Sequence, residues 1–159
     1  MTIKVGDKLP QTTFYIIGEN GPQPLASTKV FAGKKVVFFA LPGAFTPTCS
    51  QAHVPGFVVN ADDILAKGVD TIVCMSVNDP FVMKAWGEQS NAEQLLMLSD
   101  GNAEFTKAIG LDADMSVVGL GVRCGRFAMI VDDGEVKHLA IEEPQQFEVS
   151  SADAIMAVL

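Results

Sequence analysis

A thiol with the marks of a reactive group stands at position 49. Cys49 closes the stretch Pro42-Gly43-Ala44-Phe45-Thr46-Pro47-Thr48-Cys49, which follows an apolar run and carries the signs of a helix start. Thr46 suits the N-cap and Pro47 the first helical position, where no amide hydrogen is needed, so Cys49 falls at the third position of the first turn. Unpaired backbone amides there, together with the helix dipole, stabilise negative charge and favour thiolate over thiol. Most free cysteines are small buried hydrophobes. The junction position, and the lack of a second cysteine in Cys-x-x-Cys spacing, argue for a nucleophile instead.

His53 lies four residues after Cys49, on the same helix face. That spacing admits a Cys/His nucleophilic pair of the cysteine-protease kind, or two zinc ligands. Zinc needs two or three more ligands, and Cys74, Cys124 and His138 are scattered without ligand spacing. A hydrolase needs a base from elsewhere in the chain, and only His138 is available, on a hairpin expected to be half exposed. His53 is therefore expected to be a satisfied structural histidine. Cys124 has two cationic neighbours, Arg123 and Arg126, that could lower its pKa.

The elements that must position Cys49 follow from the hydrophobic pattern. A short strand is expected at Thr12–Ile17, then a buried strand at Lys35–Leu41 that stops at Pro42-Gly43. Helix follows from about Pro47 to Ala66, with a kink expected at Pro55-Gly56. Strand Thr71–Val77, helix Pro80–Gln89, strand Leu95–Leu98 and a short helix Asn102–Ile109 complete a βαβαβα order, the signature of a largely parallel layered sheet. Arg126–Val131 and Glu135–Ile141 flank Asp132-Asp133-Gly134, a hairpin turn. A closing helix Ser151–Leu159 is capped by Ser150 or Ser151. Together these predict an α/β fold of the thioredoxin-like kind, a mixed, partly parallel central sheet flanked by helices.

With 159 residues, 48% hydrophobic and 19% charged, the chain fits a single domain, 1–159, without repeats or linkers. Its net charge of −8 would repel phosphate backbones and anionic lipid, so neither nucleic acid nor membrane is an expected partner. No apolar run reaches about 18 residues and the N-terminus lacks a signal-peptide core, so a soluble, unexported, cytoplasmic protein is expected. Three widely spaced cysteines suit a reducing compartment rather than a disulfide framework.

The stretch Pro42 to Cys49, continued by Ser50, resembles the active-site signature of the peroxiredoxins, in the form typical of the type II, peroxiredoxin-5-like group. The resemblance continues through His53-Val54-Pro55-Gly56-Phe57, Ser76 to Met83, and Arg126-Phe127-Ala128-Met129, and covers nearly the whole chain. It implies a thiol-dependent peroxidase for hydrogen peroxide and alkyl hydroperoxides, needing no cofactor or metal. Cys49 would be the peroxidatic residue, attacking the O–O bond and passing through a sulfenic acid.

The same resemblance implies Thr46 and an arginine as donors to the peroxide oxygens. Arg123 and Arg126 compete, and in one strand their odd spacing would put them on opposite faces. The family's arginine directly precedes the strand's aromatic, which selects Arg126. Pro42 would shield the thiolate, the Gly43 and Cys49 amides would hold peroxide, and Phe45 would wall the pocket. Cys124 has no counterpart in the family's chemistry.

The second half of the cycle has two routes. No cysteine lies in Phe147 to Ala152, where animal-type members keep a resolving one. Cys74 resembles the second cysteine of plant-type and bacterial members and would give a Cys49–Cys74 disulfide reduced by thioredoxin. Mid-strand, it also suits plain core packing. Glutathione or a glutaredoxin acting directly on the sulfenic acid is the leading route. A redox-sensing binding protein with little turnover is the rival class. The resemblance also implies a homodimer.

Overall fold

Lys35-Val36-Val37-Phe38-Phe39-Ala40 is rich in β-branched and aromatic residues, and beyond Lys35 it is wholly buried as an interior strand of the sheet. The computed structural model describes Met1 to Leu159. Its strands are β1 Thr13–Gly18, β2 Gly21–Ala26, β3 Lys35–Ala40, β4 Thr71–Ser76, β5 Leu95–Ser99, β6 Asp112–Asp114, β7 Val122–Cys124, β8 Phe127–Asp132 and β9 Glu135–Ile141. The helices are α1 Ser27–Phe31, α2 Val54–Val59, α3 Ala61–Ala66, α4 Pro80–Gln89, α5 Glu104–Ala108 and α6 Ala152–Met156. Seven strands form one sheet in the order β2-β1-β5-β4-β3-β8-β9, and β6 and β7 form a small second sheet. β3, β4 and β5 run parallel, and the outer pairings are antiparallel. This is the thioredoxin-like peroxiredoxin fold.

Strand alternation divides the core into two halves. Val37, Phe39, Ile72, Cys74, Ala128 and Ile130 face one side, against residues of α2, α3, α4 and α6. Val36, Phe38, Val73, Met75, Phe127 and Met129 face the other, where Phe14, Phe31 and Phe105 complete an aromatic cluster. On the first side Phe57 stacks on Phe39 with ring centroids 3.9 Å apart and planes 7° from parallel. That contact holds the helix carrying Cys49 onto β3, and an aromatic pair of this kind contributes about 0.5–1.5 kcal/mol beyond its burial.

Helix Pro80–Gln89 forms over the expected residues, with the Asp79 carboxylate accepting from the Val82 amide as its cap. The hairpin turns with Asp133 at φ 49° and Gly134 at φ 79°, the paired left-handed residues of a two-residue turn. Ser151 caps the last helix, its hydroxyl accepting from Ala154.

The expected kink at Pro55-Gly56 is a correction. The Cys49 helix widens into a π-helical segment, Cys49–His53, just ahead of Pro55, with the Val54 amide reaching back to the Cys49 carbonyl. Proline has no amide hydrogen to give and its ring crowds the preceding turn, and a one-residue slip in the ladder accommodates both. The break between α2 and α3 comes instead at Asn60, whose side-chain amide donates to the Gly56 carbonyl at 2.8 Å. Strand β2, helix α1 and the small β6–β7 sheet were not anticipated from the pattern.

Candidate active site

β3 delivers the chain to the site and ends at Ala40, two residues before Pro42. Phe45, at φ 64°, then turns it through a left-handed residue, and the helix begins: the Ser50 amide donates to the Thr46 carbonyl at 2.9 Å. Thr46 thus holds the N-cap position by its backbone. Its hydroxyl does not cap, because it donates to the Gly43 carbonyl at 2.6 Å. The amides of Gly43, Thr48 and Cys49 find no acceptor within the chain, as the first turn of a helix leaves them.

Cys49 is 1% exposed. Arg126, at the entry to β8, donates from Nη2 to Cys49 Sγ at 3.2 Å, and from Nη1 to His53 Nδ1 at 2.9 Å. His53 lies against the Ser150 carbonyl through Nε2 at 2.9 Å. A guanidinium can only donate and a carbonyl can only accept, so the ring must be neutral, with its proton on Nε2. Burial, then the charge of Arg126, push the His53 pKa from 6.5 down to about 3. The histidine is structurally satisfied, as expected from the sequence, but it also orients the arginine. That role depends on Ser150, 97 residues away, and no local pattern announces it.

The two arginines do not share a strand. Arg123 belongs to β7, and Gly125, whose amide donates to the Leu111 carbonyl, separates it from β8. Both side chains consequently serve the same region. Arg123 Nη1 donates to the Pro42 carbonyl at 3.0 Å. It stands so close over Gly43 that a Cβ there would lie 2.6 Å from it, so a side chain at this position would push the guanidinium aside. Asn78 Oδ1 accepts from the Ala44 amide at 2.9 Å. Arg123 and Asn78 hold the loop that frames the thiol, and neither was singled out for this from the sequence.

Pro42 is half-buried beside Cys49's loop, and Phe45 is exposed, its ring tilted 6.3 Å from the Trp86 indole. Cys74 lies in the middle of β4, fully buried, in the same apolar cluster as Cys49. Burial raises its pKa well above the ordinary thiol range. Cys124 stays outside the site. It lies in the opposite core cluster with its thiol donating to the Leu41 carbonyl at 3.0 Å. Burial, with the nearby Asp100 charge, pushes its pKa up to about 12. The cationic neighbours in sequence point elsewhere. His138 is half exposed on β9, as expected.

A thioredoxin-like sheet that presents one cysteine at the start of a helix, with a guanidinium on its sulfur, defines a thiol enzyme working through a single nucleophilic sulfur. The Redoxin family model matches residues 4–156, and the chain belongs to that family. Peroxiredoxin-2B of Arabidopsis thaliana is 48% identical over 159 residues, covering 99% of this chain and 98% of the relative. The reduced Prx3 of Vibrio vulnificus in complex with hydrogen peroxide is 54% identical with a TM-score of 0.96, covering 99% of each chain. Peroxiredoxin 5 of Alvinella pompejana is 34% identical with a TM-score of 0.85, covering 98% of this chain and 96% of that one. Within the family the chain is a type II, peroxiredoxin-5-like peroxiredoxin. It is a thiol peroxidase, acting on peroxides and reduced by thiols.

Proposed function

We propose that Cys49 is the peroxidatic cysteine, that Arg126 and the free amides of Gly43 and Cys49 stabilise the reacting oxygens, and that the Thr46 hydroxyl, its own proton given to the Gly43 carbonyl, accepts from the hydroperoxide O–H. The observation that carries this reading is the 3.2 Å contact between Arg126 Nη2 and Cys49 Sγ at the first turn of a helix. The sulfur, as thiolate, attacks the nearer oxygen of the hydroperoxide. An S–O bond forms, the O–O bond breaks, and the leaving oxygen takes a proton to depart as water or alcohol. Sulfur is oxidised by two electrons to the sulfenic acid and the peroxide is reduced by two. A fixed guanidinium is preorganised for the charge that develops on both oxygens. Hydrogen peroxide is a fitting substrate, since the related Vibrio vulnificus Prx3 was crystallised with it. Pro42 shields the sulfur and Phe45 borders the approach. Replacing Cys49 by serine is expected to abolish peroxide consumption while leaving the circular dichroism spectrum unchanged.

For the return half of the cycle we favour an external thiol, glutathione or a glutaredoxin, over a Cys49–Cys74 disulfide reduced by thioredoxin. Burial of Cys74 in the middle of β4 supports this, because a buried neutral thiol is a poor nucleophile and the Cys49 helix would have to unwind to meet it. Intact mass after one equivalent of peroxide separates the routes. We expect wild type and Cys74→Ser to give the same oxygen adduct. Loss of about two mass units in wild type but not in Cys74→Ser would reveal the disulfide.

We also propose a homodimer packed near the active-site face. The exposed Phe81 lines a cleft walled by Asn78 and Arg123, and Phe45 on the active-site loop, Val122 on β7, and Val117 and Val118 ahead of β7 are exposed as well. Such a group of apolar side chains marks an association surface. Sedimentation at micromolar concentration should give twice the chain mass, and a monomer alone would count against it. The three free cysteines suit a reducing compartment, for which we propose the cytoplasm. No helix is long and apolar enough to cross a membrane.

A further inference from the structure

Behind Arg126 the hydrogen bonds close into a ring, and Glu142 is its hub. The Glu142 amide donates to the Arg126 carbonyl at 3.0 Å. One oxygen of its carboxylate, Oε2, accepts from the amides of Glu148, Val149 and Ser150 at 2.8, 2.9 and 2.8 Å, and from the Ser150 hydroxyl at 2.7 Å. The Ser150 carbonyl then takes His53 Nε2, and His53 Nδ1 takes Arg126 Nη1. Phe147, inside the loop so gathered, lies against both, with its ring 4.9 Å from the imidazole and 5.7 Å from the guanidinium carbon.

No lysine or arginine pairs with Glu142. Its charge is balanced by loop amides, and these bonds outweigh the upward pull of burial and hold the carboxyl below its ordinary pKa. An anion is therefore spent on one short stretch of backbone, and that stretch supplies the acceptor fixing His53. A neutral imidazole can reverse its proton between Nδ1 and Nε2 at little cost in water, and with the proton on Nδ1 it would face Arg126 donor to donor.

We propose that Glu142 is a positioning residue of the peroxidatic site: it fixes the backbone of residues 148–150, which sets the tautomer of His53 and so the guanidinium of Arg126 against Cys49. This rests on the role given to Arg126 above. The charged groups facing His53 are Arg126 and, more distantly, Glu142.

The test combines ring-nitrogen NMR of His53, in a His138→Gln background, with the peroxide rate. With Glu142 intact, His53 should show the Nε2–H tautomer alone and no titration between pH 8 and 5. In Glu142→Ala, both tautomers and a titration in that range should emerge, with a fall of about tenfold or more in the second-order rate constant for peroxide. That fall should be absent when Arg126 is already methionine. If Glu142→Ala does not fold, Glu142→Gln, isosteric but uncharged, should show the same change of tautomer and a smaller fall in rate. A folded variant with His53 unchanged, or with a rate within twofold of wild type, would overturn the proposal. The NMR arm uses no peroxide, so a failure of the relay is separable from a failure of the peroxidase assignment, which would appear in wild type itself.

Discussion

Replacing Arg126 by methionine is expected to lower the second-order rate constant for hydrogen peroxide by about 10²–10³-fold, the loss typical of removing a preorganised donor from a developing anion. Methionine keeps much of the side-chain volume, so the effect separates charge from packing. Arg126→Lys should recover little of it. The guanidinium spends one nitrogen on His53 and another on Cys49, and an ammonium on a flexible stem cannot hold both positions at once. The chain carries its own reporter. Its single tryptophan, Trp86, donates from Nε1 to the Ser50 hydroxyl at 3.0 Å, next to the reacting cysteine. Stopped-flow fluorescence therefore reads the oxidation step directly. A rate for Arg126→Met within twofold of wild type would remove the arginine from the mechanism.

Acid is expected to weaken the fold through His53. Its pKa is about 3 in the folded chain against 6.5 ordinarily. Between those values the unfolded chain binds a proton that the folded chain refuses, so stability rises with pH across the interval. The contribution is intact above pH 6.5 and is lost progressively as the pH falls toward 3. At one pKa unit for about 1.4 kcal/mol, the drop between pH 7 and pH 5 is about 2 kcal/mol. Urea unfolding of wild type and His53→Gln at both pH values isolates this from the carboxylates common to the two proteins. Wild type should lose about 2 kcal/mol more than the variant on going from pH 7 to pH 5. Equal losses would mean that the imidazole takes up its proton in the folded state without penalty.

The order of elements around Cys49 is legible in the sequence because each depends on near neighbours. Lys35–Ala40 and Thr71–Ser76 carry unbroken apolar runs, and Thr46-Pro47 marks a helix start whatever the rest of the chain does. Strand β2, Gly21-Pro22-Gln23-Pro24-Leu25-Ala26, is hidden by two prolines. It is tolerated at the edge of the sheet, where their missing amide hydrogens leave no ladder bond unmade. The three-residue strands β6 and β7 are too short for any periodicity, and this misled the reading of Arg123 and Arg126 as rivals within one strand. Once Gly125 breaks the strand, one arginine holds the loop and the other the sulfur.

The remaining parts of the site depend on long-range contacts. His53 has no visible task until Ser150 and Arg126 arrive from other segments, and Glu142 has none until the chain folds back over residues 148–150. Cys124 shows the converse. Two basic neighbours in sequence could activate its thiol, but the fold turns its sulfur into the core, Arg123 toward the loop and Arg126 toward Cys49.

The central claim is that peroxide reacts at one sulfur, Cys49. Wild type and Cys49→Ser, each given one equivalent of hydrogen peroxide and trapped with a sulfenic-acid reagent, can be digested and mapped by mass spectrometry. The prediction is a single trapped adduct on the Cys49 peptide in wild type and none in the variant, with Cys74 and Cys124 unmodified in both. An adduct on either of those cysteines in Cys49→Ser, formed at the wild-type rate, would contradict it.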